Sequence, residues 1–74
     1  MLFRSVNREL LILQVAQREH GVYEWRQHVP IALGVGVTQA QIDRIEQGKY
    51  DDAAFSAAEQ ALLAFGREIG RAHV

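Results

Sequence analysis

Three ionisable side chains in this sequence have types and spacing suited to chemistry: Glu9, Glu24 and His28. Glu24 and His28 stand four residues apart, which on a helix brings them to one face. A carboxylate that holds an imidazole in one tautomer raises its basicity and makes it a better proton shuttle. A low-dielectric helical pocket strengthens that coupling. The chemistry on offer is therefore proton transfer. The same stretch, Gly21 to Ile31, holds the only Trp, the only Pro and one of the two Tyr. Pro30 removes a backbone donor and bends the chain beside the ionisable pair. A plainer reading stands next to each of these. Glu24 and His28 are equally a surface pair worth ~0.2–0.5 kcal/mol. Glu9 near a helix start complements the helix dipole. Tyr23 and Trp25 more often anchor a core or an interface than wall a substrate pocket.

Other chemistries are poorly served. The sequence has no Cys, which removes thiol redox, Cys nucleophiles and Cys metal ligation. Ser5 and Ser56 read as helix caps, so a Ser nucleophile is not expected. The three His have no zinc-ligand spacing; His20 falls at a helix C-terminus, where a cation is favoured, and His73 in the tail. Gly34-Val35-Gly36 reads as a helix end and lacks the preceding strand of a dinucleotide site. No cofactor or metal is expected.

The elements that must position Glu9, Glu24 and His28 are helices. Ser5 caps a first helix over Val6 to Glu19, with Val6, Leu10, Leu13 and Ala16 or Gln17 on one face and Leu11, Ile12 and Val15 widening it. Gly21, in the left-handed conformation, ends it. A second helix spans Val22 to Val35, either kinked near His28 or divided in two at Pro30, with Gly36 as its C-terminal cap. Thr38 to Gln41 matches a capping box and opens a third helix to Gln47, with Ile42 and Ile45 inward and Gly48 after it. A loop follows in which Phe55 dips into the core. Ser56 to Glu59 is a second capping box, opening a fourth helix from Ala57 to Ile69, with Ala58, Leu62, Phe65 and Ile69 as one stripe and Gly70 closing it. No strand pattern appears. The fold class is all-α, a small antiparallel array of about four helices in one domain over residues 1–74. Counted from Gly21 at ~1.5 Å per residue, Glu9 lies roughly 18 Å back and His28 roughly 10 Å forward. Long side chains and a tilt must close that gap.

Composition bounds the rest. A 74-residue chain that is 49% apolar is too rich for disorder but small for a self-sufficient core. Without disulfides, a homo-oligomer that completes the core is the expected remedy. Net charge is -1 with no basic run, which argues against nucleic acid. The longest apolar run, Leu10 to Leu13, is far short of a membrane span. Met1 to Arg4 lacks a signal-peptide layout, so a cytoplasmic protein is expected.

Glu9-Leu10-Leu11-Ile12-Leu13, then Tyr23 to Ala32, then Gly36-Val37-Thr38 with Gln41-Ile42, resembles the carboxymuconolactone decarboxylase superfamily, which includes the alkylhydroperoxidase D-like proteins. Phe55-Ser56 and Glu59 to Leu63 also look like its following helix. The resemblance covers Ser5 to Ile69. In the peroxidase branch a Glu on the first helix precedes a Cys-x-x-Cys pair and a His. Carried onto this sequence, the Glu falls at Glu9 and the His at His28, while Gly21 and Glu24 occupy the two Cys positions. The resemblance therefore implies the Cys-free branch, a carboxy-lyase-like enzyme and not a thiol peroxidase. It implies a cofactor-free reaction on a small organic acid, with His28 and Glu9, and Glu24 beside them, moving protons as carbon dioxide leaves. Arg26 is the nearest cation for an anionic substrate, with Trp25 and Tyr23 beside it. Family members carry further helices and assemble as trimers or hexamers, so this chain corresponds to the central helices. The rival expectation is a catalytically silent helical module for oligomerisation or binding.

Overall fold

A computed structural model describes residues 5–72, with side chains through Ile69. The lead-in at 1–4 and the tail with His73 lie outside the described residues. Four helices make up the fold: α1 (Val6–Arg18), α2 (Val22–Val35), α3 (Gln39–Glu46) and α4 (Ala57–Ala72). No strand occurs among the described residues. The class is all-α.

Side-chain caps set three of the helix starts. Ser5 Oγ accepts from Arg8 N at 3.1 Å. Thr38 and Gln41 satisfy each other's backbone amides, at 3.1 Å in both directions. Ser56 and Glu59 do the same at 2.8 and 3.1 Å. Each reciprocal pair removes two otherwise orphaned donors from a helix start. α2 has no such side-chain cap; Gly21 precedes it.

The turn between α1 and α2 departs from expectation. Gly21 is not left-handed; His20 is, at φ 56°. The amide of Gly21 donates to Ala16 O at 2.8 Å and that of His20 to Gln17 O at 3.4 Å. This is the Schellman pattern, and it puts the left-handed residue one place before Gly21. Histidine is among the residues that tolerate positive φ better than most. Gly36 does hold the left-handed position expected of it, at φ 113°. Pro30 neither splits nor ends α2, which runs through it as one helix. Gly70 likewise does not end α4, which continues to Ala72.

α1 is the central element and packs against α2, α3 and α4. The core joins Leu10 and Leu13 of α1 to Ala32, Val37, Ile42, Ile45, Tyr50, Phe55 and Leu63, with Val6, Trp25, Val29 and Val35 partly buried against it. The stripe on α4 is rotated from the one expected: Leu63 is fully buried, while Phe65 and Ile69 are exposed. The cause is a close helix crossing at Gly66, where a Cβ would collide with Gln14 Oε1 and stand 2.8 Å from Leu11 Cδ2. Gln14 is fully buried there and donates to Leu63 O at 2.7 Å.

Candidate functional site

Glu9 lies in the first turn of α1 and is 1% exposed. Its neighbours Leu10 and Leu13 hold that face of α1 in the core, so the carboxylate goes in with them. Burying a carboxylate is costly unless it is hydrogen-bonded. The partner is His28 on α2, whose Nδ1 lies 2.9 Å from Glu9 Oε1. His28 itself is half-buried, at 26%. An ionised carboxylate only accepts, so opposite an ionised Glu9 the Nδ1 is the donor, and in the neutral tautomer that this selects Nε2 is the acceptor. The arrangement is a buried orienting group behind an imidazole that reaches the surface.

The helix ends explain why the pair meets. α1 stops at Arg18 and α2 starts at Val22. Counted from those ends, Glu9 lies roughly 13 Å back and His28 roughly 9 Å forward. That difference is below one helical turn, and the two side chains span it.

Of the remaining candidate residues, Glu24, Trp25 and Arg26 divide between two grooves that meet at Ala16 and Gly21, and Tyr23 lines neither. Glu24 lies in the first, of about 550 Å³, with Leu11, Ile12, Val15 and Glu19. The Glu24 carboxylate folds back over Gly21, its Oε1 lying 2.8 Å from where a Cβ would stand. The Gly21 and Glu24 positions are thus in contact. Glu24 is exposed, and His28 pairs with Glu9 rather than with it. Trp25 and Arg26 line the second groove, of about 610 Å³, with Gln17, His20, Val22 and Glu46. Trp25 is half-buried against the core and Arg26 is exposed. Tyr23 points outward, 68% exposed, and its hydroxyl accepts from Gln27 Nε2 at 3.0 Å. Neither groove is lined by His28 or Glu9 themselves. Two of the residues that line the first stand about one turn along the helix from the pair, since Glu24 precedes His28 by four residues and Ile12 follows Glu9 by three.

A second polar cluster was not legible in the sequence. Tyr50 is 7% exposed and its hydroxyl donates to Gln17 Oε1. Burial raises its pKa above 10.0, with Arg18 and Arg67 pulling the other way. The Arg67 guanidinium lies 5.7 Å from the ring centroid. The neighbours come from α1, the loop and α4, so local spacing carried no signal. Among the described residues no group of three or more His, Asp or Glu converges to hold a metal ion. No helix among them is long and apolar enough to cross a membrane.

Residues 4–67 match the sequence model of the carboxymuconolactone decarboxylase family. No curated protein and no solved structure matches the chain.

Proposed function

We propose a function on the premise that this chain belongs to the carboxymuconolactone decarboxylase family: it is a cofactor-free proton-transfer catalyst, of carboxy-lyase type, on a small organic molecule. The observation that carries this reading is the 2.9 Å contact between His28 Nδ1 and the buried carboxylate of Glu9. Glu9 fixes the ring and stabilises the imidazolium that forms when Nε2 takes a proton. In a decarboxylation the carbon–carbon bond to the carboxylate breaks, its electron pair shifts through the adjacent double bond, and the remote carbon takes a proton. His28 Nε2, having first taken a proton from solvent, supplies it to that carbon and returns to its neutral form. Glu24, one turn away, is the second group able to relay it. The protein needs no thiol for any of these steps, and Gly21 and Glu24 stand where the peroxidase branch carries its sulfurs.

The test is direct. β,γ-unsaturated carboxylates and lactone acids are incubated with the protein in deuterated water, and carbon-bound deuterium and carbon dioxide release are followed. His28→Ala should abolish both, a loss of about 10²–10⁴-fold for a general acid–base group. Turnover unchanged in His28→Ala would remove His28 from the reaction.

A second reading, the catalytically silent helical module, is favoured by one observation. Val15 on α1 and Phe65 and Ile69 on α4 are 49%, 63% and 45% exposed, large apolar side chains left open to solvent on two helices that pack together. Self-association into a homo-oligomer, a trimer or hexamer by the family resemblance, would cover it in either reading. Sedimentation at micromolar concentration showing a stable folded monomer would defeat the association.

A further inference from the structure

The apolar stripe that spacing finds on α4 is left facing solvent. Ala58, Phe65 and Ile69 are exposed and Leu62 is half-buried, because Leu63 is the α4 residue that turns into the core. The four stand four, three and four residues apart, which keeps them on one face of the helix. Gly66 lies beside that face and lets α1 come close: a Cβ there would stand 2.8 Å from Leu11 Cδ2. Leu11 and Val15 are four residues apart on α1, so the apolar surface continues from α4 over Leu11 to Val15. None of these six positions carries a charge.

We infer that two copies of the chain pair antiparallel through this face of α4 across a two-fold axis, a pairing that rests on the self-association reading above and gives it a geometry. A face that meets its own copy across a two-fold axis must be self-complementary. Spacings of four, three and four read the same in both directions, so a reversed copy meets the stripe in register. Leu62 then packs against the partner's Phe65, and Ala58 against the partner's Ile69. Each contact sets a larger side chain against a smaller one, which fills the seam evenly. A parallel pair would set Phe65 on the partner's Phe65 and leave a gap at Ala58. Reversal also opposes the two helix dipoles. Because the face is uncharged, the symmetry brings no like charges together. A specific interface takes about 800 Å² from each partner. One face of the 16-residue α4 is roughly 24 Å long and about 10 Å wide, which falls short. The continuation over Leu11 and Val15 widens it toward that size. Leu11 also lines the groove that holds Glu24, so the partner's α4 borders that groove. A two-fold pairing requires an even number of copies, hence a dimer or a hexamer and not a trimer.

The chain has no Cys, so single-Cys variants of the whole chain report the pairing cleanly. Ala58→Cys mixed with Ile69→Cys should give a disulfide-linked dimer on mild oxidation. Neither variant should link to its own copy, because in the antiparallel register like positions stand ~16 Å apart along the axis, beyond the ~7 Å limit for a disulfide. Phe65→Glu should weaken association at least about tenfold in sedimentation equilibrium. It should leave the helical circular dichroism unchanged, since Phe65 is 63% exposed in the single chain. Leu33→Glu, a like change at an exposed position of α2, should leave association unchanged. Should Phe65→Glu fail to fold, the cross-link carries the test. Ala58→Cys linking to its own copy, a trimer as the stable assembly, or association indifferent to Phe65→Glu would overturn the α4 pairing and leave self-association standing. A monomer at every concentration would overturn both.

Discussion

Replacing Gly66 by Ala adds one methyl group where α4 crosses α1. In a helix interior this exchange alone stabilises by about 1 kcal/mol, because Gly loses more backbone freedom on folding. Against that gain stands a collision. The added Cβ meets Gln14 Oε1 and comes within 2.8 Å of Leu11 Cδ2. Gln14 is fully buried and its amide is tied to Leu63 O at 2.7 Å, so it moves aside only by giving up that bond. A buried donor left without its partner costs about 1–3 kcal/mol, and overpacking a core costs about 1–3 kcal/mol. Even at modest values of both, the cost exceeds the gain. Gly66→Ala should destabilise by about 1–2 kcal/mol, lowering Tm by about 4–8 °C per kcal/mol for a chain of this size. Gly34 is the internal control, since a Cβ there meets nothing within 4 Å. Gly34→Ala should stabilise by about 1 kcal/mol. Urea denaturation of both variants measures the contrast. A cycle with Gln14→Ala identifies its cause, because removing the amide should make Gly66→Ala less harmful. A Gly66→Ala protein as stable as Gly34→Ala would refute the close crossing.

Two further outcomes follow from the α1–α2 turn and from the loop. His20→Gly should stabilise by about 1 kcal/mol, because a non-Gly residue at φ 56° carries a steric cost that Gly does not; an unchanged urea midpoint would contradict the left-handed turn. Tyr50 has a folded pKa raised above 10.0 by burial, so its contribution to stability is complete below that pH and is lost as pH rises through the folded value. Tyr50→Phe should flatten the loss of stability between neutral pH and strongly alkaline pH, read from urea midpoints; an unaltered slope would show that Tyr50 is not the group responsible.

The helix starts at Ser5, Thr38 and Ser56 were legible because a cap is a local contract between residues three apart. The left-handed residue at the first turn was not. Gly21 draws attention as the residue with least steric objection, but the Schellman register assigns the position to His20. The face of α4 was misjudged for a tertiary reason: periodicity finds a stripe at Phe65 and Ile69, whereas the close approach at Gly66 decides which side turns inward. At the site, the types and spacing of Glu9 and His28 brought them under suspicion, and helix lengths bounded their separation. The 2.9 Å contact, and the division of Glu24 from Trp25 and Arg26 into separate grooves, come from how α1 and α2 pack.

The central claim is that the buried Glu9 carboxylate sets the tautomer of His28 and leaves Nε2 free for proton transfer. Long-range ¹H–¹⁵N correlation of the imidazole at a pH where His28 is neutral measures this directly. The expected spectrum has a protonated Nδ1 and an unprotonated Nε2 in the wild-type chain, with that preference weakened in Glu9→Ala. A protonated Nε2 in the wild-type chain, or a His28 spectrum indifferent to Glu9→Ala, would contradict it.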